Sequence, residues 1–538
     1  MAEAPHHQIR RNMAAYFPSF NVGHGAYRWW VLGNIMIGTF MAVLDATIVN
    51  VGLPKIMATF GVDINTIEWV LTAYLLVFAV MLPISGWVAD HFGYKRTYFL
   101  ALLLFTLGSF LCGFAWDENS LIFFRVIQGM GAGFLMPVGM AIVMREFPPD
   151  KRGIAMGFWS IAAAASVSFG PYIGGYLIDN ISWRAIFYVN VPVGVIGMLA
   201  TAVIQKEYRT EKVRSFDYIG FLSVSMFLAF LMLALSEANA AWNVGGWTSG
   251  FIVTCLVLSL IGLVTFMVTE LSVEHPIIEL RLLKNFNFGL TNIVLFIFGL
   301  GMFGSTFLLP LYLQNSLGYT ALQAGAVFLP VGILQGMTSP VSGYLSDKVN
   351  PKIPIIIGLV LLSYSLYLNS KLSLFSEHQQ IMMPLYLRGF AMGLLFAPLS
   401  SVALMEIPRD KMAQASGMFN VIRQIGGSFG VAILGYLLTQ RVNFHLTVNG
   451  QSVDQFSPAF QQVYRNLGHF ARSAAGGTSQ AVASQAQALI GSHVIQQSYV
   501  QAIGDDFLIA GAVSVIGILP ILFLRTHKQT GPKTINLE

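Results

Sequence analysis

The chain has 538 residues, of which 55% are hydrophobic and only 10% are charged. Soluble domains contain about 25% charged residues, so this composition excludes an ordinary soluble protein and indicates an integral membrane protein. The net charge of +5 comes mostly from loop residues on one side of the predicted spans, and therefore indicates orientation rather than a nucleic-acid-binding surface. The two cysteines, Cys112 and Cys255, lie in apolar stretches and predict neither a disulfide framework nor a metal site.

Fourteen apolar stretches are long enough to cross a bilayer, because a spanning helix needs roughly 20 residues. We number them spans 1 to 14 in chain order: 29–51, 67–89, 97–116, 121–144, 154–178, 185–205, 216–236, 247–269, 287–314, 322–346, 353–372, 381–405, 413–439 and 506–525. The predicted fold class is an all-α integral membrane protein. An even number of spans places both termini on one side, and the excess of Lys and Arg in the loops there predicts that both termini are cytoplasmic.

Span 1 carries a carboxylate, Asp45, which costs about 2.5–3.5 kcal/mol near the centre of a membrane helix. From the predicted span ends and a rise of 1.5 Å per residue, Asp45 lies roughly 9 Å and Arg125 of span 4 roughly 6 Å below the outer interface. The two side chains therefore match in depth and can pair. Asp45 is the only acid predicted well inside a span, and no histidine falls in one. We interpret Asp45 with Arg125 as a proton-coupling site; the alternative is a static buried ion pair.

Short matches recur roughly 260 residues apart and predict an internal duplication in parallel orientation. Gly86-Trp-Val-Ala-Asp90 matches Gly343-Tyr-Leu-Ser-Asp347, Ser168-Phe-Gly170 matches Ser428-Phe-Gly430, and Leu53-Pro54 and Leu309-Pro310 close spans 1 and 9. The predicted domains are a tail 1–28, a six-helix half 29–205, a linker with two extra spans 206–270, a second half 271–526 including a long loop 440–505, and a tail 527–538. Asp45 corresponds to Gly301, so we expect proton coupling to reside in the first half, while Gln128 corresponds to Arg388.

Several motifs fall in order along the chain. They are Gly86-Trp-Val-Ala-Asp90-His-Phe-Gly93-Tyr-Lys95-Arg96 after span 2, Arg125-Val-Ile-Gln128-Gly129-Met-Gly131 in span 4, Gly170-Pro171-Tyr-Ile-Gly174-Gly175 in span 5, Leu44 to Pro54 in span 1 and Ser182 to Gly194 before span 6. The first is a basic loop in which Gly93 permits a tight turn. Together the motifs resemble those of the major facilitator superfamily, and in particular its fourteen-span drug:H⁺ antiporters, over nearly the whole chain.

The resemblance implies a two-half transporter that works by alternating access, exports hydrophobic and often cationic drugs in exchange for protons, and needs no cofactor beyond the proton gradient. It assigns a conformational gate to Gly86, Asp90, Gly93, Lys95 and Arg96. It assigns an antiporter motif to Gly170, Pro171, Gly174 and Gly175, which either bend span 5 or simply allow close packing. The second half departs from the pattern at Asp347 to Lys352, so we expect the first loop to contribute more to the gate.

Polar, aromatic and Met side chains in the spans supply candidates for the lining of a substrate cavity, since aromatic faces hold cations and Met repacks readily. The candidates are Asn50, Tyr74, Gln128, Met136, Phe158, Trp159, Phe303, Arg388, Asn420 and Arg423. The alternative for each is contact with lipid or with another helix. Arg388 and Arg423 either bind an anionic substrate group or tie helices together.

Residues 440–505 are polar and contain two apolar patterns at helical spacing, which predict two amphipathic helices outside the membrane. A long loop at this position resembles the Emr-type pumps of Gram-negative bacteria, which work with a periplasmic adaptor and an outer-membrane channel. We therefore predict that the loop docks an adaptor; the alternative is a disordered insertion.

These observations predict a proton-coupled multidrug exporter in the bacterial inner membrane. An alternative within transport is an exporter of one native metabolite, such as a fatty acid, siderophore or lipid. An alternative of another class is a membrane enzyme or a receptor, which needs a catalytic cluster within the spans that the sequence does not supply. An ion channel needs a symmetric pore lining, and the unequal pair Asp45 and Gly301 argues against it.

Overall fold

The computed structural model describes residues 24–209, 215–240, 242–274, 276–453, 456–475 and 479–525. Within these residues, 14 helices are long and apolar enough to cross a membrane, as predicted. Of the predicted tails, residues 1–23 and 527–538 lie outside the described residues, as do 210–214 of the linker. Residues 24–28, predicted as part of the first tail, are already helical.

The helices of the spans have the following bounds. They are span 1, His24–Phe60; span 2, Ile64–Phe92; span 3, Tyr94–Gly113; span 4, Glu118–Glu146; span 5, Arg152–Asn180; span 6, Ala185–Tyr188 with Asn190–Ile204; span 7, Tyr218–Glu237; span 8, Gly250–Ser272; span 9, Phe286–Leu311 with a π-helical turn Tyr312–Ser316; span 10, Ala321–Ala326 with Leu329–Lys348; span 11, Lys352–Asn369; span 12, His378–Met405; span 13, Met412–Ser452; and span 14, Ser479–Ile516 with Ile518–Phe523. Short 3₁₀ turns are Pro149–Lys151, Gly246–Thr248, Leu280–Lys284 and Arg409–Lys411.

The prolines predicted to close spans 1 and 9 do not end these helices. Pro54 lies inside the helix that continues to Phe60, and Pro310 lies inside the helix that ends at Leu311. Proline removes one backbone hydrogen bond, which a long helix embedded among others tolerates. The prediction of span ends at Pro54 and Pro310 is therefore wrong, because one lost hydrogen bond does not stop a helix that its neighbours hold.

The same neighbour relations recur in the two predicted halves. Span 1 packs against spans 5 and 6, as span 9 packs against spans 13 and 14, and span 4 packs against spans 2 and 3, as span 12 packs against spans 10 and 11. Between the halves, span 5 packs along span 10, and span 2 packs along span 13. Spans 7 and 8 form a pair, and span 7 contacts spans 2 and 13.

We call the end of the molecule at which span 1 begins the inner end. Here the halves meet closely. A Cβ added to Gly86 of span 2 meets the backbone nitrogen of Gln414 of span 13 at 2.9 Å, so only glycine fits without displacement. At the start of span 5, Asp347 of span 10 accepts hydrogen bonds from the backbone N–H groups of Gly153 at 2.8 Å and Ile154 at 2.9 Å. A carboxylate at a helix N-terminus is a favourable pairing.

The segment predicted as a loop at 440–505 is largely helical. Span 13 continues as one helix to Ser452, the helix Pro458–Ala475 follows, and span 14 begins at Ser479. The first amphipathic helix is thus present, whereas the second is not separate but is the start of span 14. Its apolar pattern is buried in part, because Val482 and Ala486 are inaccessible. The helix Pro458–Ala475 packs against this start of span 14. We call residues 440–505 the outer extension.

Candidate functional site

Asp45 is fully buried and paired as the sequence predicts. Its Oδ2 accepts a hydrogen bond from Nη1 of Arg125, with which it forms an ion pair. Its Oδ1 accepts hydrogen bonds from Nε2 of Gln128 at 2.7 Å and from Nδ2 of Asn190 at 3.2 Å. The carboxylate is therefore held by spans 4 and 6 as well as by its charge partner.

Arg125 extends the network to the neighbouring helices. Its Nη1 also donates to Oε1 of Gln128 at 2.6 Å, and its Nε donates to the carbonyl oxygen of Val70 in span 2 at 3.1 Å. The guanidinium carbon lies 4.0 Å from the centroid of the Tyr74 ring, a cation–π contact. Gln128 further donates to Oγ of Ser109 in span 3 at 2.6 Å. One ion pair thus joins five of the six helices of the first half.

A central cavity of about 460 Å³ lies between the two halves and span 7. Its lining is mostly apolar. It consists of Ala42, Val43, Ala46, Thr47, Thr72, Tyr74, Leu75, Leu76, Phe78, Met136, Ser160, Ala163, Ala164, Val167, Ser168, Met232, Leu235, Ser236, Phe298, Met302, Phe303, Thr306, Phe328, Val331, Gln335, Arg388, Met392, Phe396, Arg423, Gln424, Gly427, Ser428 and Val431. A cavity of this size suits a drug-sized ligand.

The Asp45 carboxylate lies behind the cavity wall rather than in it. The following residues on span 1, Ala46 and Thr47, line the cavity, but Asp45 does not. Tyr74 contacts both the ion pair and the cavity. It lines the cavity, its ring forms the cation–π contact with Arg125, and its hydroxyl donates a hydrogen bond to the carbonyl oxygen of Ala42 at 3.2 Å. Tyr74 and the backbone of span 1 therefore connect the ion pair to the cavity lining.

Two arginines of the second half line the cavity. Nη2 of Arg388 donates to the carbonyl oxygen of Met302 at 3.0 Å and to the Thr306 hydroxyl. Nη2 of Arg423 donates to Oδ1 of Asn420 at 3.3 Å and contacts the Met136 sulfur at 3.7 Å. Among the described residues, neither arginine has an acidic partner within salt-bridge distance.

Half of the predicted cavity residues line it: Tyr74, Met136, Phe303, Arg388 and Arg423. The other half are placed elsewhere by the structure. Gln128 is bonded to Asp45, Asn50 is exposed, Phe158 packs on Trp29 at a centroid distance of 5.3 Å, Trp159 donates to Thr39 at 2.8 Å, and Asn420 donates to the Ser416 carbonyl oxygen at 2.9 Å.

Sequence reasoning missed most of the lining supplied by the second half. Phe298, Met302 and Thr306 of span 9 recur every four residues and form one helix face. Met392 and Phe396 of span 12 continue the face on which Arg388 lies. The four-residue spacing from Arg388 was a usable signal. The contribution of Met232, Leu235 and Ser236 in span 7 was not visible in the sequence, because a helix that is apolar on all sides does not show which face meets the cavity.

The predicted gate residues take different positions at the inner end. Gly93 has φ of +100°, which explains the glycine between spans 2 and 3. Lys95 donates from Nζ to the Ala202 carbonyl oxygen at 2.6 Å, Arg96 lies 3.6 Å from the Glu207 carboxylate, and Asp90 accepts from the Tyr94 hydroxyl at 2.9 Å. Gly86 packs on span 13. In the second half, which we expected to contribute less, Asp347 hydrogen-bonds directly across the halves.

The Gly-Pro motif of span 5 packs against two helices without breaking its own. The helix runs through Pro171 to Asn180. Gly170 and Gly174 lie against Thr47 and Ile48 of span 1. On the opposite face, Pro171 lies against Gly325 and Gly175 against Leu322, both of span 10. These small residues therefore place span 5 in contact with the helix that carries Asp45 and with the other half.

The statement that Asp45 is the only acid inside a span is wrong. Span 14 begins well before residue 506, so Asp506 lies within its helix and is fully buried. The prediction failed because the polar residues before Asp506 were assigned to a loop. Asp505 beside it pairs with Arg441 at 3.2 Å and with His445 at 2.8 Å, which places this cluster at the outer end of spans 13 and 14.

Comparisons with known proteins agree with this architecture. Residues 35–431 match the family model of the Major Facilitator Superfamily. The chain is 31% identical to the multidrug export protein EmrB of Escherichia coli (strain K12), covering 84% of this chain and 88% of that protein. It is 29% identical to the fatty acid resistance protein FarB of Neisseria gonorrhoeae, covering 93% and 96%. The crystal structure of the human organic anion transporter MFSD10 aligns with a TM-score of 0.60 over 92% of this chain and 99% of that one, and its 12% identity supports the fold alone.

Proposed function

Because the chain belongs to the major facilitator superfamily, we propose that it is a multidrug efflux transporter that exports hydrophobic compounds in exchange for protons. The observation that carries this proposal is the buried ion pair of Asp45 and Arg125 directly behind the wall of a drug-sized cavity. The likeness to the multidrug export protein EmrB over most of the chain supports the same function. The proton gradient supplies the energy, and we propose no further cofactor.

The ion pair supplies the coupling chemistry of the proposed function. When a proton binds an oxygen of Asp45, the carboxylate loses its charge and with it most of its attraction for the Arg125 guanidinium. Arg125 then retains its bonds to Gln128 and to the Val70 carbonyl oxygen. The tie between span 1 and span 4 is thereby weakened, and span 1 is free to shift against spans 2 and 5, whose residues line the cavity with its own.

Alternating access is supported by the way in which the halves meet. The inner end is closed by Gly86 on span 13 and by Asp347 on span 5, and Arg423 on Met136 and Asn420 on Met140 add contacts between the halves. In the proposed cycle, protonation of Asp45 from the outside favours the return to the inward-facing state, and drug binding favours the reverse.

The protein crosses the membrane many times, and its family consists of transporters rather than enzymes. We propose that it resides in the bacterial inner membrane with both termini in the cytoplasm, as the distribution of Lys and Arg predicts. We further propose that the outer extension docks a periplasmic adaptor, which connects to an outer-membrane channel. Removing residues 450–500 should spare transport in vesicles and abolish co-purification with the adaptor; retained co-purification would refute the docking role.

Proton flux in reconstituted vesicles tests the central proposal. We expect Asp45→Asn to bind hydrophobic compounds but to show no pH-driven transport, because the amide cannot carry the proton. Glu118→Gln, a partly exposed position at the start of span 4, is the matched control and should transport normally. Undiminished pH-driven transport by Asp45→Asn would refute the assignment.

A second candidate within transport is a dedicated exporter of one native metabolite, such as a fatty acid, and the likeness to FarB favours it. Minimal inhibitory concentrations across a panel of chemically unrelated drugs, in a host that lacks its own pumps, separate the two. Protection against several unrelated compounds supports multidrug export, whereas protection against one class of compound supports the dedicated exporter.

A further inference from the structure

We propose that the central cavity selects amphipathic anions, with the guanidinium of Arg388 as the principal receptor of the anionic group and Arg423 as the second. The ligand class is a small carboxylate attached to an apolar or aromatic body. This inference rests on the proposed export function and specifies its substrate.

The charge of the cavity is of one sign. Arg388 and Arg423 are the charged members of its lining, and no carboxylate belongs to it. Asp45 of the first half is bonded to Arg125, Gln128 and Asn190 and is not in the lining. A hydrophobic cation entering this space therefore meets repulsion, while an anion meets attraction strengthened by the low dielectric of the surroundings.

Arg388 has an unused donor. The residue is 1% exposed, yet its Nη1 has no hydrogen-bond partner among the described residues. Its Nη2 is fixed by the Met302 carbonyl oxygen and the Thr306 hydroxyl of span 9, which are neutral acceptors. Burial of a guanidinium without an anion is costly, and buried polar groups in proteins are normally paired. A bound carboxylate supplies the missing acceptor and the missing charge.

Arg423 is held in a similar way. Its Nη2 is bonded to the Asn420 amide oxygen and to the Met136 sulfur, and its Nε has no partner among the described residues. The guanidinium carbon lies 6.0 Å from the centroid of the Phe396 ring. Within the described part of the chain, both arginines of the lining therefore lack an anionic partner and have a donor that a bound carboxylate can occupy.

Arg125 shows what a structural or coupling arginine looks like in this fold. It has a carboxylate, an amide and a backbone carbonyl as acceptors and lies outside the cavity lining. Its Nη2 also has no partner among the described residues, so Arg388 and Arg423 differ from it by the missing anion and by their place in the lining. The remaining lining near Arg388 is apolar: Phe298, Phe303, Met302, Met392 and Phe396. These side chains can bury the apolar part of a ligand, which a small inorganic anion lacks. The site therefore favours an amphipathic anion over a small inorganic one.

A matched series of ligands tests the inference. Naphthalene-2-carboxylate, 2-naphthylmethanol and 2-naphthylmethylammonium share one ring and differ in charge at neutral pH. Binding is measured by calorimetry on the full-length protein in lipid nanodiscs. We expect the carboxylate to bind at least tenfold more tightly than the ammonium, and Arg388→Gln to lose about tenfold for the carboxylate with the alcohol unchanged, since a charge-assisted hydrogen bond is worth about that much.

Further variants separate binding from folding. Arg388→Lys keeps the charge and should retain part of the carboxylate affinity, and Arg423→Gln should lose less than Arg388→Gln. Arg184→Gln, which removes an arginine outside the cavity lining, is the control. Equal loss for all three ligands in Arg388→Gln would show a structural role, and equal or tighter binding of the ammonium by the wild-type protein would overturn the inference.

Transport distinguishes this inference from the proposed function. If proton-loaded vesicles export the alcohol or the ammonium but not the carboxylate, the export function stands and the anion selectivity fails. If a pH gradient drives none of the three ligands although the carboxylate binds, the export function fails while the binding site stands.

Discussion

The two halves of the molecule treat their buried arginines in opposite ways. In the first half, Arg125 is paired with Asp45 of span 1, bonded to span 2 and absent from the cavity lining. In the second half, Arg388 and Arg423 face the cavity without an acidic partner among the described residues. Both halves share the same helix packing, so the fold does not determine the difference; single residues do.

The register of the repeat shows where the halves diverged. Asp45 corresponds to Gly301, whose added Cβ would meet Oγ of Ser514 at 2.5 Å. Gln128, which donates to Asp45, corresponds to Arg388, which lines the cavity. This difference fits the proposed exchanger, in which the proton and the ligand bind at separate places.

The largest expected effect is the difference in stability between a variant that lacks Arg125 and a variant that lacks Arg388. Arg125→Gln leaves Asp45 buried without its charge partner and should lower the free energy of unfolding by about 3–5 kcal/mol. Arg388→Gln removes a cation that has no anion, so the free energy should change by less than about 1 kcal/mol. Thermal unfolding of both variants in the same detergent measures the difference.

The double variant Asp45→Asn with Arg125→Gln serves as the control. It removes both charges and should recover most of the stability that Arg125→Gln loses, without restoring pH-driven transport. If Arg388→Gln is as unstable as Arg125→Gln, the contrast between the halves is wrong.

A relocated carboxylate tests whether proton coupling depends on the half. Gly301→Asp in an Asp45→Asn background places an acid at the corresponding position of span 9. We expect less than about 10% of wild-type pH-driven uptake, because no arginine occupies the corresponding position and Ser514 must shift. Recovery of proton coupling would contradict the assignment of coupling to the first half. Gly301→Ala in the wild-type background shows how much of any loss is steric.

At the inner end, Asp347, which bonds across the halves, can be compared with the exposed Asp150. Asp347→Ala removes two hydrogen bonds to a charged acceptor across the halves, each worth about 1.5–3 kcal/mol. The population with the inner end open should rise by at least tenfold. Spin labels at the exposed positions Phe92 and Val349 report the separation. Asp150→Ala, an exposed acid in the same region, should leave the distance distribution unchanged, and an unchanged distribution in Asp347→Ala would exclude this closing role.

The smallest expected effect concerns Glu207, which contacts the first inner loop. Burial raises the pKa of Glu207, although the Lys95 backbone N–H and Arg96 oppose the shift. A carboxyl with a raised pKa binds its proton more tightly in the folded state, so this contribution to stability is present at low pH and is lost as the pH rises through the folded pKa. Glu207→Gln should flatten the pH dependence of the free energy of unfolding. The change should be less than about 1 kcal/mol, since Glu207 is part of a partly exposed ion pair. An unchanged pH dependence in Glu207→Gln would contradict this contribution.

The sequence predicted the spans and the ion pair because both follow from strong energetic rules. An apolar stretch of sufficient length is a span, and Asp45 and Arg125 are charges that a membrane helix rarely tolerates without a partner. The lining was predicted less well. Each residue along a helix rotates by about 100°, so Phe158 and Trp159 face different neighbours, and the rotation of a helix apolar on all sides is set by packing that the sequence does not display.

The outer ends of spans 13 and 14 were predicted wrongly for a different physical reason. Span 13 and span 14 continue as helices beyond the apolar stretch, where hydropathy gives no sign of helix. Asp506 was therefore placed at a span end, and the second amphipathic helix was separated from span 14. Polar helices that rest on each other outside the bilayer carry a weaker signal than those that lipid surrounds.

The uninterrupted helix Met412–Ser452 has a mechanical consequence. Its 41 residues extend about 60 Å, roughly twice the hydrocarbon thickness of a bilayer. The same helix carries Arg423 beside the cavity and, about 25 Å further along, the start of the outer extension. A tilt of about 10° at Arg423 would displace Ser452, about 44 Å away, by about 8 Å. Span 13 thus connects the cavity lining to the opposite end of the molecule through one continuous helix.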